Sequence, residues 1–162
     1  MQHTLETGMY LLGQVFLLPV LTLVALLFLY AFWLLGYFLH QAWLRRSGRG
    51  RPLLDHFRRQ PEVSEEALEL FAHRSLEPAR IASRVTPMLG LVATMIPMGP
   101  ALKSLADGNL AAVSENLMIA FSAVILALLA ASITFWIANV RRRWLAEEMV
   151  EILALGARRE AP

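Results

Sequence analysis

The chain has 162 residues, 57% of them hydrophobic and 17% charged, with a formal net charge of +2 and no cysteine. A soluble domain carries about a quarter charged residues, whereas three runs here, residues 7–44, 85–102 and 116–140, contain no Asp, Glu, Lys or Arg and make up half of the chain. Each reaches the ~18 apolar residues that mark a membrane-spanning helix, which excludes a soluble enzyme, a disordered tail and a disulfide scaffold.

The first run exceeds what a bilayer needs. At 1.5 Å per residue it would cover roughly 57 Å of helix against a hydrocarbon core of about 30 Å. Pro19 is the expected break, leaving Met9–Leu18 as an interfacial segment and Val20–Tyr37 as the crossing. Tyr30, Phe32, Trp33, Tyr37, Phe38 and Trp43 crowd its second half and read as an interfacial aromatic belt. Residues 47–83 follow as the only sizeable polar stretch. Ser47 to Pro52 reads as a turn, and Ser64 before Glu65 and Glu66 reads as a helix start. Leu68, Phe71 and Leu76 form a modest stripe, too small for an independent core. Short helices, or extensions of the spans packed on neighbours, are expected there.

The second run holds Pro87, Pro97, Pro100, Gly90 and Gly99. On a helix Gly90, Ala93 with Thr94, Pro97 and Ala101 share one small, mildly polar face, which suits a close helix contact or a narrow pore. Prolines free backbone carbonyls that must find partners in protein or water. In the third run Asn116, Ala120, Ala123, Ala127, Ala130 and Thr134 recur at alternating spacings of four and three. Small residues at that period let helix backbones approach closely. Beyond it Arg141–Arg143 and Trp144 anchor the helix, and Leu145, Met149, Ile152 and Leu153 continue an apolar stripe towards Gly156, the expected stop.

Basic residues set the orientation. Of 15 Lys and Arg, nine lie in residues 41–84 and five in 141–162, while the connection between the second and third runs holds only Lys103. Positive charge marks the cytoplasmic side of a span. The expected fold class is therefore an all-α integral membrane protein of three transmembrane helices with long cytoplasmic helical extensions, N-terminus outside and C-terminus inside. Its parts are residues 1–44 (outer segment and first membrane helix), 45–84 (cytoplasmic loop with short helices), 85–140 (membrane hairpin) and 141–162 (cytoplasmic extension). Met1–Gly8 has no basic residue ahead of the apolar run, so no secretory signal is expected. Gln2 and the lack of cysteine argue against lipid anchors, and the basic residues follow the span ends rather than a nucleic-acid surface.

Chemistry is sparse. No zinc-protease, phosphate-loop or hydrolase motif occurs, so the chain is not expected to be an enzyme. His56 and His73 lack metal-ligand spacing; no metal and no cofactor are expected, and His40 reads as an interface residue. Without an ionisable group inside a span, the chain has no proton relay of its own. Hydroxyls remain: Thr94, Ser122, Ser132 and Thr134. Such a group either bonds a carbonyl of its own helix or serves a carboxyl group brought by another subunit, since a buried acid without a partner is costly.

Residues Thr86-Pro87-Met88-Leu89-Gly90-Leu91-Val92-Ala93-Thr94-Met95-Ile96 resemble the second-helix motif of the MotA/TolQ/ExbB proton-channel family. The resemblance continues through Pro100-Ala101-Leu102, the connection Ala106-Asp107-Gly108-Asn109, the third helix from Glu115-Asn116-Leu117 to Asn139, and Arg141-Arg142-Arg143-Trp144. It covers residues 80–145; elsewhere it is topological. It implies a homo-oligomeric ring, typically a pentamer, in the bacterial inner membrane. The ring surrounds an ExbD/TolR-like single-span partner whose intramembrane Asp accepts the proton. The proton pathway would then run past Thr94, Ser122, Ala93, Pro97 and Ala127, with Gly90, Ala120, Ala123 and Thr134 packing helices. Ala93 and Pro97 stand where the family has glycines. If Asn139 matches the family's Asn, Ala127 takes the place of a glycine and Val124 that of the helix-three threonine, leaving Ser122 as the nearest hydroxyl. The lack of a long insertion points to the compact ExbB/TolQ kind, which uses proton-motive force to energise envelope or outer-membrane transport. The alternatives are a passive scaffold or assembly subunit without conduction, and an exporter acting alone.

Overall fold

The computed structural model of the chain describes residues 2–46, 50–59 and 65–160. They form four helices: α1 (Gln2–Arg46), α2 (Pro52–Arg59), α3 (Glu65–Ala106) and α4 (Leu110–Glu160). Three of these are long and apolar enough to cross a membrane. The expected helix start at Ser64, and positions 47–49 of the expected turn, lie outside the described residues.

Two expected punctuation marks do not interrupt their helices. α1 passes through Pro19 without a break. Pro19 removes one backbone donor, but Leu17, Leu18, Val20 and Leu21 around it offer no turn residue. In apolar surroundings, opening further helical hydrogen bonds would cost more than losing one. α4 likewise runs through Gly156 to Glu160. A helical glycine costs only about 1 kcal/mol relative to alanine, and the Ala, Leu and Arg residues flanking it favour helix.

The helices divide between two compact units. The first comprises residues up to Phe32 together with Ala82–Ile133. Its buried positions are small. On α3 they are Ala82, Thr86, Gly90, Ala93, Pro97 and Ala101, and on α4 Ala120, Ala123, Ala127, Ala130 and Ala131. α1 contributes the buried Val24 and Ala31, while Leu11, Leu12, Val15, Phe16, Leu18, Leu26 and Leu29 stay exposed. A helix apolar on nearly every side finds its solvent in lipid. The α3–α4 connection is a compact reversal. Gly108 adopts φ 71°, the Asn109 N–H donates to the Ser104 carbonyl (2.9 Å) and the Gly108 N–H to the Leu105 carbonyl (3.1 Å). This closes α3 with a left-handed glycine. Asn109 Oδ1 then accepts from the Ala112 N–H (3.1 Å) and caps α4.

The second unit comprises Trp33–Ile81 with the chain from Thr134 onward. Leu53 and Leu54 of α2, Leu68 and Leu76 of α3, and Leu145 and Ile152 of α4 form its apolar cluster, with Phe57, Ala72 and Met149 packed against it. The polar stretch thus gains a core by packing its own leucines against the stripe of α4. Phe71 and Leu153, expected in those stripes, are exposed, and Phe71 stacks on His56 instead (centroids 4.9 Å apart). Phe38 also departs from the belt reading. It is buried, stacked on Trp144 and edge-on to Trp136, each at 5.1 Å. Phe32, Trp33, Tyr37 and Trp43 stay exposed, as a belt requires.

Candidate functional site

In the first unit α3 and α4 meet at glycine. A Cβ built on Gly90 would lie 2.7 Å from the Cβ of Ala127, with the Val124 Cα at 3.8 Å. No real pair of carbons approaches that closely, so the glycine is what lets the two backbones come together. Ala93 and Ala127 are fully enclosed beside this contact, and Pro97 nearly so. Ala120, Ala123 and Thr134 are buried along the same stripe of α4.

The hydroxyls fall in different places. Thr94, one residue past the enclosed Ala93, is half-buried, and its Oγ1 donates to the Leu91 carbonyl at 2.7 Å. Its two oxygen lone pairs are left to accept. Thr86 and Ser132 bond carbonyls four residues back, at 2.6 and 2.8 Å. Ser122 is exposed and lines an apolar groove with Leu21 and Val24 of α1 and Met118, Ile119 and Leu126 of α4. The structure therefore brings Gly90, Val124 and Ala127 together. Ser122 sits on the α1 side of α4 instead.

A second constellation lies wholly in the other unit. Glu148 of α4 has a side chain only 1% exposed. Its Oε1 accepts from Arg45 Nη1 at 2.8 Å. Its Oε2 accepts from the Leu53 N–H at 2.9 Å and the Leu54 N–H at 3.4 Å, the first amides of α2 behind Pro52. A carboxylate there satisfies donors no helical carbonyl reaches and meets the positive end of the helix dipole. Arg45 also donates to Glu147 Oε2 (3.2 Å) and the Trp144 carbonyl (3.4 Å), and its guanidinium lies 4.8 Å from the Trp144 ring centre. One carboxylate thus joins the end of α1, the start of α2 and the middle of the α4 extension. Arg51–Glu151 (2.6 Å) adds a more exposed tie. Arg51→Ala is expected to cost no more than about 1 kcal/mol in thermal unfolding, since an exposed pair gains little over solvation.

The motif reading did not single out Glu148. The signal was present: Leu145, Glu148 and Ile152 follow at three and four, which puts Glu148 on the apolar face and Glu147 and Glu151 outside it.

A sequence profile of the MotA/TolQ/ExbB proton channel family matches residues 39–153. Comparisons with curated proteins and with solved structures gave no match.

Proposed function

Since the chain belongs to the MotA/TolQ/ExbB proton channel family, we propose that it is the ring-forming subunit of a bacterial inner-membrane proton channel, most simply a pentamer. An ExbD/TolR-like single-span partner supplies the carboxyl group that accepts the proton. The N-terminus and the α3–α4 connection lie outside. The second unit, with its arginines, lies in the cytoplasm, a reading supported by the placement of basic residues. Proton flow then drives the partner and energises transport at the envelope or outer membrane.

The observation that carries this reading is the pairing of three charge-free runs with a hydroxyl one turn from the close α3–α4 contact at Gly90. The runs contain no acid or base, so a conducting path needs a titrating group from elsewhere. Thr94 Oγ1 donates its hydrogen bond to the Leu91 carbonyl and is left as an acceptor, the partner a protonated carboxylic acid needs in a dry passage. Ala93, Pro97 and Ala127 back this position from within the subunit, and Ser122 stands as a second hydroxyl on the α1 side. The exposed apolar faces of α1, α3 and α4 supply surface for lipid and for neighbouring copies.

The test is proton flux in proteoliposomes that hold the chain with a single-span partner bearing an intramembrane Asp. Thr94→Val is expected to lower flux by roughly tenfold or more, the loss of one hydrogen bond to an acid in apolar surroundings. Thr94→Ser is expected to restore most of it. Flux unchanged in Thr94→Val would remove the threonine from the path. A chain that assembles normally but never recruits an acid-bearing partner would favour the passive scaffold.

A further inference from the structure

The second unit carries a partly open pocket of about 230 Å³, well above the ~30 Å³ that one water occupies in the liquid. Tyr37, Gln41, Arg45, Ser75, Arg141 and Trp144 are among its walls. Two of them have unspent capacity. Gln41 is buried, and its side-chain Oε1 has no hydrogen-bond partner; a buried acceptor left unmade costs about 1–3 kcal/mol. Arg141 lies over the Tyr37 ring, 5.5 Å from its centre, and among the described residues has no carboxylate partner. Arg45, by contrast, is spent on Glu147 and Glu148. Glu148 also lines the cavity, its charge met by Arg45, which leaves Arg141 as the cation and Gln41 Oε1 as the acceptor still to be matched, between aromatic walls.

We propose that this cavity binds a glycerophosphate ester: its phosphate on Arg141 and a hydroxyl of the same group donating to Gln41 Oε1. A lone anion would leave the amide oxygen unsatisfied, and a lone cation would meet Arg141. A phosphate bearing a neighbouring hydroxyl serves both. The cavity's place along the chain favours a lipid source. Gln41 lies in the last turn of the first charge-free run and Arg141 directly follows the third. This step rests on the proposed crossing of the bilayer by those runs. A basic pocket at that depth meets phospholipid headgroups, and the glycerol headgroup of an anionic lipid carries the needed hydroxyl.

The full-length chain in nonionic detergent is tested by native mass spectrometry and thermal unfolding with phosphatidylglycerol, with phosphatidylcholine and, separately, with glycerol 3-phosphate. Phosphatidylglycerol is expected to be retained over phosphatidylcholine and to raise Tm. Arg141→Gln is expected to cut that retention by about tenfold or more, the worth of one charge-assisted hydrogen bond, and Gln41→Met by about fivefold, the worth of a neutral one. Arg142→Gln, an exposed neighbour outside the cavity, leaves retention unchanged. Gln41→Met removes an unpartnered buried acceptor, so the Tm of the lipid-free chain does not fall and the variant stays interpretable. Equal stabilisation by glycerol 3-phosphate assigns the site to a soluble ester instead of a lipid. Retention that ignores headgroup, or that falls as much in Arg142→Gln as in Arg141→Gln, overturns the proposal. Thr94→Val, which lowers conduction in the proposed function, leaves retention intact, so the two readings fail separately.

Discussion

Glu148→Leu is expected to lower the stability of the purified chain by about 3–5 kcal/mol, the cost of removing one member of a buried ion pair. Two losses combine. The Arg45 guanidinium, only 16% exposed, keeps Glu147 as a single counter-charge. The Leu53 and Leu54 amides also lose their acceptor behind an apolar wall. Glu148→Gln keeps an oxygen for those amides and gives up the charge, so its loss is expected to be smaller. Arg45→Met combined with Glu148→Leu removes the stranded cation and is expected to regain part of the deficit, leaving the α2 amides as the remainder. Thermal unfolding of these proteins, with Arg45→Met alone to complete the cycle, measures all of this. Additive single losses would show that the pair is not coupled.

The second large effect is steric. Gly90→Ala places a methyl group where 2.7 Å separates it from the Ala127 Cβ. That carbon is fixed to its own backbone and has no torsion with which to move aside, so α3 and α4 must separate. Overpacking of this kind costs about 1–3 kcal/mol. The same substitution gains about 1 kcal/mol of helix propensity, so any net loss is a lower bound on the clash. Ala127→Gly removes the obstructing carbon and forfeits a similar propensity. The double variant is then expected to return near the parent Tm, with a coupling of at least about 1 kcal/mol in the mutant cycle. Gly90→Ala behaving like an exposed glycine substitution would show that the helices meet elsewhere.

What could be read in advance followed from residue chemistry repeated at short range. Three charge-free runs announced three long helices. The four-and-three spacing of Gly90, Ala93, Pro97 and Ala101, and of Ala120, Ala123, Ala127 and Ala130, announced the faces that are buried. Local stop signals misled, because Pro19 and Gly156 are weak against the helix-forming residues around them. The Glu148 cluster lay furthest from view. Arg45 and Glu148 are 103 residues apart, and an Arg-rich segment facing a Glu-Glu pair reads as solvated surface unless the helical phase of Leu145 and Ile152 is followed through it. Ser122 shows the converse limit: periodicity placed it off the small face, but which neighbour it would meet depended on where α1 lies.

The prolines make the long helices mechanically unequal. α4 runs from Leu110 to Glu160 without one, roughly 77 Å of continuous hydrogen-bond ladder. α3 carries Pro78, Pro87, Pro97 and Pro100 within Glu65–Ala106, so four rungs of its ladder lack a donor and four rings press on the preceding turn. Bending stiffness follows the ladder. Under an applied load α4 behaves as a rod that transmits displacement along its length, whereas α3 is the compliant member, with its softness concentrated around the single turn that carries Pro97 and Pro100, next to Thr94.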